Sequence, residues 1–342
     1  MNIDVTTFNS KTIRHTIENS KADISFGISY LDDAMPIMKT DLIVISAQSG
    51  SGKSEIAAHI AAKNAIGGKN VFFFALEAHE QEIQTRVSYK FAAKKYFDDQ
   101  NRDRFPVAYD LYISNTIDKR FMPYAIWGEE EAEKIYKNNF RIAYRKSEKF
   151  GADEFIEAFR VLDVEADLIV CDHLQYFDYD MGTEYASISR IIKAIRDMVL
   201  LHQVPVILVS HISTPDNRAK KIIADQYALH GTSNIAKTAT KIIIVDRDPT
   251  TDTKCAYRIP SLFRIAKNRF NSSTSRYVAK VIYNLDYNAY EGSYKLARLK
   301  NFDTELVDVL ESERPHWAKQ GVFDGEFAAK HKGNPTLCWS KK

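Results

Sequence analysis

The chain has 342 residues, 45% of them apolar and 27% charged, with a net charge of +2. That length suits one large α/β domain or two smaller ones, and the balance is that of an ordinary globular protein. A near-neutral chain excludes a globally basic nucleic-acid binder, so any basic surface has to be local.

Cys171, Cys255 and Cys338 are far apart and odd in number, which speaks against a disulfide framework and against a Cys-x-x-Cys metal site. The N-terminal stretch is polar, without the apolar core of an export signal, and no run approaches the ~18 apolar residues of a membrane span. The expectation is a soluble cytoplasmic protein with no membrane partner. Residues 1–22 read as a polar arm with a short helix over 10–19.

From Ile24 onward short apolar runs alternate with helical stretches. The pattern predicts strands at 42–46, 71–76, 167–172, 204–210 and 241–245, and helices at 54–65, 79–98 and 187–202. Strands apolar throughout and separated by helices imply an α/β fold with a mostly parallel sheet, covered on both faces. Residues 262–266 and 277–283, joined by a polar Asn-Ser-Ser-Thr-Ser turn, predict an antiparallel C-terminal hairpin on the sheet edge. One domain is expected over 23–298, with a mostly helical insertion over 100–160 and a tail over 299–342.

The stretch Ala47, Gln48, Ser49, Gly50, Ser51, Gly52, Lys53, Ser54 lies between a predicted strand and a predicted helix. It fits the phosphate-binding pattern G-x-x-x-x-G-K-[ST], with Ala47 in place of the first glycine. Small residues let backbone N–H groups wrap phosphates, and the helix N-terminus adds positive potential. In this pattern Lys53 reaches the β- and γ-phosphates of ATP and Ser54 ligates Mg²⁺. Asp172 ends an apolar strand, where the carboxylate that holds the metal's water shell sits. Glu77 follows the strand at 71–76 and emerges at the same sheet edge, the place for a base that orients the attacking water. The plain alternatives are a strand-end aspartate and an exposed strand-end glutamate.

Taken together, these residues resemble the RecA-like P-loop NTPase core of the DnaB/Twinkle-type hexameric replicative helicases. Phe26-Gly-Ile-Ser-Tyr-Leu-Asp32, Asp41 to Ala47 with Gly52-Lys53-Ser54, and Phe74-Ala-Leu-Glu77 resemble successive segments of that family. Ile169-Val-Cys-Asp-His-Leu-Gln175 resembles its Asp-Tyr-Leu-Gln signature, with His173 in place of the tyrosine. Ile188 to Ala194, Val204 to His211, Gly231 to Val245 and Arg264-Ile-Ala-Lys-Asn-Arg-Phe270 continue the order. The likeness covers roughly 24–295, without the family's N-terminal domain or a primase domain.

The resemblance implies Glu77 as catalytic base, His211 as a phosphate sensor aided by Gln175, and Lys267 and Arg269 as groups reaching the phosphate held by a neighbouring copy in a hexameric ring. Residues 254–280 carry seven Lys/Arg and no Asp/Glu, a local basic patch. Single-stranded DNA is the implied partner, met by segments 178–187 and 212–230; the second holds Arg218, Lys220 and Lys221. Primase, polymerase or a loader are further implied partners, and a phage-encoded chain would work in the bacterial host cytoplasm. The rival reading is a RecA-fold ATPase that is not a helicase: a recombinase, a helicase loader or a KaiC-like switch.

Overall fold

The computed structural model describes residues 18–48, 50–99, 105–144, 149–162, 166–179, 182–212, 221–229, 233–248 and 258–318. In chain order the elements are α1 (Ser29–Ala34), β1 (Leu42–Ala47), α2 (Lys53–Ile66), β2 (Val71–Ala75), α3 (Glu80–Asp98), α4 (Tyr109–Ile113), α5 (Met122–Asn138), β3 (Phe140–Tyr144) and α6 (Ala152–Leu162). They continue with β4 (Leu168–Asp172), α7 (Glu184–His202), β5 (Val206–His211), α8 (Ser233–Thr238), β6 (Lys241–Arg247), β7 (Arg258–Asn268), β8 (Tyr277–Asn284), β9 (Ala289–Lys300) and β10 (Glu305–Asp308).

All ten strands form one sheet in the order β10-β9-β8-β7-β6-β1-β5-β4-β2-β3. β1 to β6 are parallel, and β7 to β10 extend the sheet antiparallel from β6. The parallel strands read as unbroken apolar runs because both of their faces are covered. Alternate residues go to opposite cores. Ile43, Ile45, Phe73, Val170 and Val209 pack in one cluster with Ile56 and Ile60 of α2. Leu42, Val44, Phe74, Cys171 and Leu208 pack in the other with Phe155 of α6 and Ile188, Ile191 and Ile195 of α7.

Helix α7 starts at Glu184 rather than 187, because Thr183 caps it: its hydroxyl accepts from the Ala186 N–H at 3.2 Å. Helices do predominate over 100–160, but the segment also supplies β3, which pairs with β2 and puts Phe140 against Phe73. Helices α3, α4 and α5 enclose a third, aromatic core around Tyr89, Tyr96 and Phe121. Gly128 permits that packing, since a Cβ there would stand 2.5 Å from the Ser88 carbonyl oxygen.

The expected hairpin forms as β7 and β8, and the sheet then runs on through β9 and β10, past residue 298. Trp317 packs edge-on against Tyr30 and Tyr277, so residues beyond that point also help to close the core. At the other end the fold takes hold by Lys21, which bridges to Met38. Among the described residues no helix is long and apolar enough to cross a membrane.

Candidate functional site

β1 and β2 leave β4 and β5 between them, so the loops after these four strands gather at the carboxyl ends of the parallel strands, where open α/β sheets bind ligands. Ala47 ends β1 and is buried, so a small side chain is what that position needs. Gly50 and Gly52 have φ of +74° and +81°, a left-handed conformation glycine adopts without strain. Gly52 caps α2 without any side-chain hydrogen bond, leaving the first-turn N–H groups to an anion. The Lys53 ammonium donates to the Gln48 carbonyl at 2.9 Å, folded across the loop it would serve. Burial pulls the Lys53 pKa down, opposed by the charges of Asp172 and Glu77. Ser49 lies outside the described residues.

Asp172 ends β4 at 1% exposure, with neither carboxylate oxygen hydrogen-bonded among the described residues. Burial pushes it up to about 6; the nearby Ser54 hydroxyl opposes the rise, the Glu77 charge adds to it, and Arg86 and Lys53 also oppose it. Two buried, unsatisfied carboxylate oxygens beside a hydroxyl are costly unless something binds them. Hard oxygen donors of this kind suit the water shell of Mg²⁺.

Glu77, two residues past the end of β2, is exposed. Its Oε2 lies 2.8 Å from Nε2 of His173, and its Oε1 accepts from the Tyr176 hydroxyl at 3.4 Å. The His173 Nε2 is also 3.1 Å from Nε2 of His211 at the end of β5. Burial, then the His211 ring and the Lys53 ammonium, push His173 down to about 4, with Gln175 opposing. His173 is therefore neutral near pH 7. Gln175 accepts from the His211 backbone N–H and donates to the Ser210 hydroxyl, both at 3.2 Å. Ser46 of β1 donates to the Ser210 carbonyl at 2.9 Å, joining this network to the strand that carries the phosphate loop.

Arg86, which the sequence reading missed, bridges Glu55 at 2.9 Å and Glu82 at 2.7 Å. Lys90 pairs with Glu55 and with the Asn288 carbonyl. Burial works against the Glu55 charge, but Lys90 and Arg86 outweigh it and hold its carboxyl below the usual range. A pocket of about 260 Å³ opens beside the loop, lined by Gly50, Gly52, Arg86, Tyr283 and Tyr290 among others. Its place beside a phosphate cradle, with aromatic walls, suits the remainder of a nucleotide.

Burial, then the neighbouring Arg269 charge, lowers the Lys267 pKa, so the two cations lie near each other. Lys267 donates to the carbonyls of Ala236, Lys237 and Ala239 at 2.7, 3.2 and 2.6 Å, capping the C-terminus of α8. The expected shared strand face does not extend to Arg269, because β7 ends at Asn268. Arg269 is exposed, and its side chain makes no ion pair among the described residues. Its backbone N–H donates to Thr240 at the start of β6, so it stands at the sheet edge opposite the phosphate loop. Lys221 is paired with Asp225 at 2.6 Å, whereas Arg218 and Lys220 lie outside the described residues.

Among solved structures, a DnaB-like replicative helicase described with its interactions with primase matches with a TM-score of 0.62 at 16% identity, over 84% of this chain and 67% of that one. The ATPase domain of a second helicase matches with a TM-score of 0.61 at 17% identity, over 82% of this chain and 95% of that one. The chain shares the RecA-like fold of these two structures. No family model and no curated protein matches the sequence. In this fold the loop after β1, Glu77, Asp172 and His211 come together at one edge, as the strand-end positions in the sequence imply.

Proposed function

We propose that the chain is the motor of a ring-forming, ATP-driven translocase on single-stranded DNA, acting as a replicative-type helicase. The loop amides and Lys53 would hold the phosphates of ATP, and Ser54 and Asp172 would hold Mg²⁺. Bound magnesium neutralises charge on the phosphates and polarises them. Glu77 orients the attacking water and accepts its proton. His211 reports the state of the phosphate to the segment after β5, which holds Arg218, Lys220 and Lys221 and would track a DNA backbone through charge rather than base identity.

The observation that carries this reading is the placement of Arg269. It stands at the amino-terminal edge of the parallel strands, and the phosphate loop stands at the carboxyl-terminal edge. The length of β1 separates them by on the order of 17 Å at ordinary strand rise. Arg269 cannot serve its own loop, but copies stacked head to tail bring it to the next one. Lys267 supports α8 inside its own subunit, so the finger role falls to Arg269.

The discriminating experiment measures ATP turnover of the purified chain with Mg²⁺, with and without oligo-deoxythymidine, together with unwinding of a forked duplex. The expected result is several-fold stimulation by the single strand and strand separation that depends on ATP. Turnover indifferent to DNA, with no unwinding, would favour a switch or loader instead.

A further inference from the structure

His173 stands where three segments far apart in sequence converge, and the chemistry assigned so far leaves it without a task. Its ring is 2% exposed and sits between two others, with centroids 4.8 Å from Tyr176 and 4.4 Å from His211, nearly perpendicular to the latter. Its Nδ1 is buried without a hydrogen bond among the described residues. Its Nε2 has two neighbours, Glu77 Oε2 at 2.8 Å and His211 Nε2 at 3.1 Å.

One ring nitrogen carries at most one hydrogen, whatever the charge on the ring. That hydrogen can point at the Glu77 carboxylate or at His211, not fully at both. If His211 donates its own Nε2–H toward His173, the His173 nitrogen must offer a lone pair. Glu77, an anion, then faces a lone pair and is repelled. The arrangement has two states: Glu77 held by His173, or Glu77 released while His211 takes the bond.

We propose that His173 is a positioning residue for Glu77, and that Glu77 and His211 compete for its single Nε2 hydrogen. The inference rests on Glu77 being the water-orienting base. In the held state the carboxylate is fixed by His173 on Oε2 and by Tyr176 on Oε1. In the released state it keeps only the longer Tyr176 contact. His211 ends β5 and leads into the segment after it, and Gln175 grips its backbone from the same turn that carries His173. A shift of His211 at the end of β5 therefore reaches Glu77 through one hydrogen, without any change in the phosphate loop.

Two substitutions test this, each read as a split between turnover and nucleotide affinity. His173→Phe keeps an aromatic ring edge-on between Tyr176 and His211 but removes the N–H. Its kcat should fall about 10- to 100-fold, the worth of one hydrogen bond to a charged group, with the affinity for a fluorescent ATP analogue unchanged. His173→Gln places an amide near the position of Nε2 with two hydrogens, enough for both partners. It should restore kcat and, because nothing competes, weaken the response of turnover to a single strand. Wild-type kcat in His173→Phe would overturn the proposal. So would a loss in nucleotide affinity that matches the loss in kcat, since that marks a packing role. A wild-type enzyme indifferent to DNA would instead sink the translocase reading, while the basal kcat of the two variants would still decide the role of His173.

Discussion

Replacing Glu77 by glutamine should lower kcat for ATP about 10²–10⁴-fold, the range associated with a positioned general base. The amide keeps the shape of the side chain and can still accept from the Nε2 of His173, which lies 2.8 Å from Oε2. What it loses is the basicity that takes the water's proton. ATP affinity should be nearly unchanged, because the phosphates are met by the loop amides and by Lys53, not by Glu77. A loss seen in kcat and absent from binding marks an interaction made only in the transition state. Steady-state turnover beside a direct nucleotide titration makes the comparison. If Glu77→Gln turned over ATP like the wild type, the water would be oriented from elsewhere.

Arg269→Ala should cost still more, about 10³–10⁵-fold in kcat, as loss of a finger supplied in trans does. The side chain is exposed and stands by the cations Lys267 and Arg196, each of whose pKa it helps to lower. An anion from another subunit would relieve that repulsion. The stronger test mixes two inactive chains. Lys53→Ala ruins its own phosphate loop and keeps Arg269; Arg269→Ala does the reverse. Within one assembly some interfaces join the intact loop of one chain to the intact arginine of the other. Turnover should therefore reappear on mixing, in proportion to such interfaces. A finger acting in cis would leave the mixture as inactive as its parts.

The glycine-rich loop was legible in the sequence because it is local: a strand, eight residues and a helix, contiguous in the chain. Asp172 and Glu77 were legible for a related reason, since each follows an apolar strand and a parallel sheet sends such strand ends to one edge. The His173 relay was not, because it needs residues 77, 173 and 211 to meet, and no one-dimensional period encodes that meeting. Lys267 is a different case. Its spacing from Arg269 suggested a common strand face, but β7 ends at Asn268, so the strand periodicity does not extend to Arg269. The missed strands have physical causes too. β3 is a five-residue edge strand with one buried side chain, and β9 carries charged residues and a glycine that blur its alternation. Arg86 had a weak signal, a cation placed so that helix α3 carries it back over the phosphate loop, but the loop's own residues gave no reason to look there.

The central claim is that the nucleotide site is built from two copies of the chain. Particle imaging of the wild-type protein with Mg²⁺ and a non-hydrolysable ATP analogue tests it most directly. A closed ring is the expected result, with the hexamer as the expected size, in which Arg269 of each subunit faces the phosphate loop of the next. Nucleotide-saturated monomers, or an assembly that leaves Arg269 remote from every phosphate loop, would contradict it.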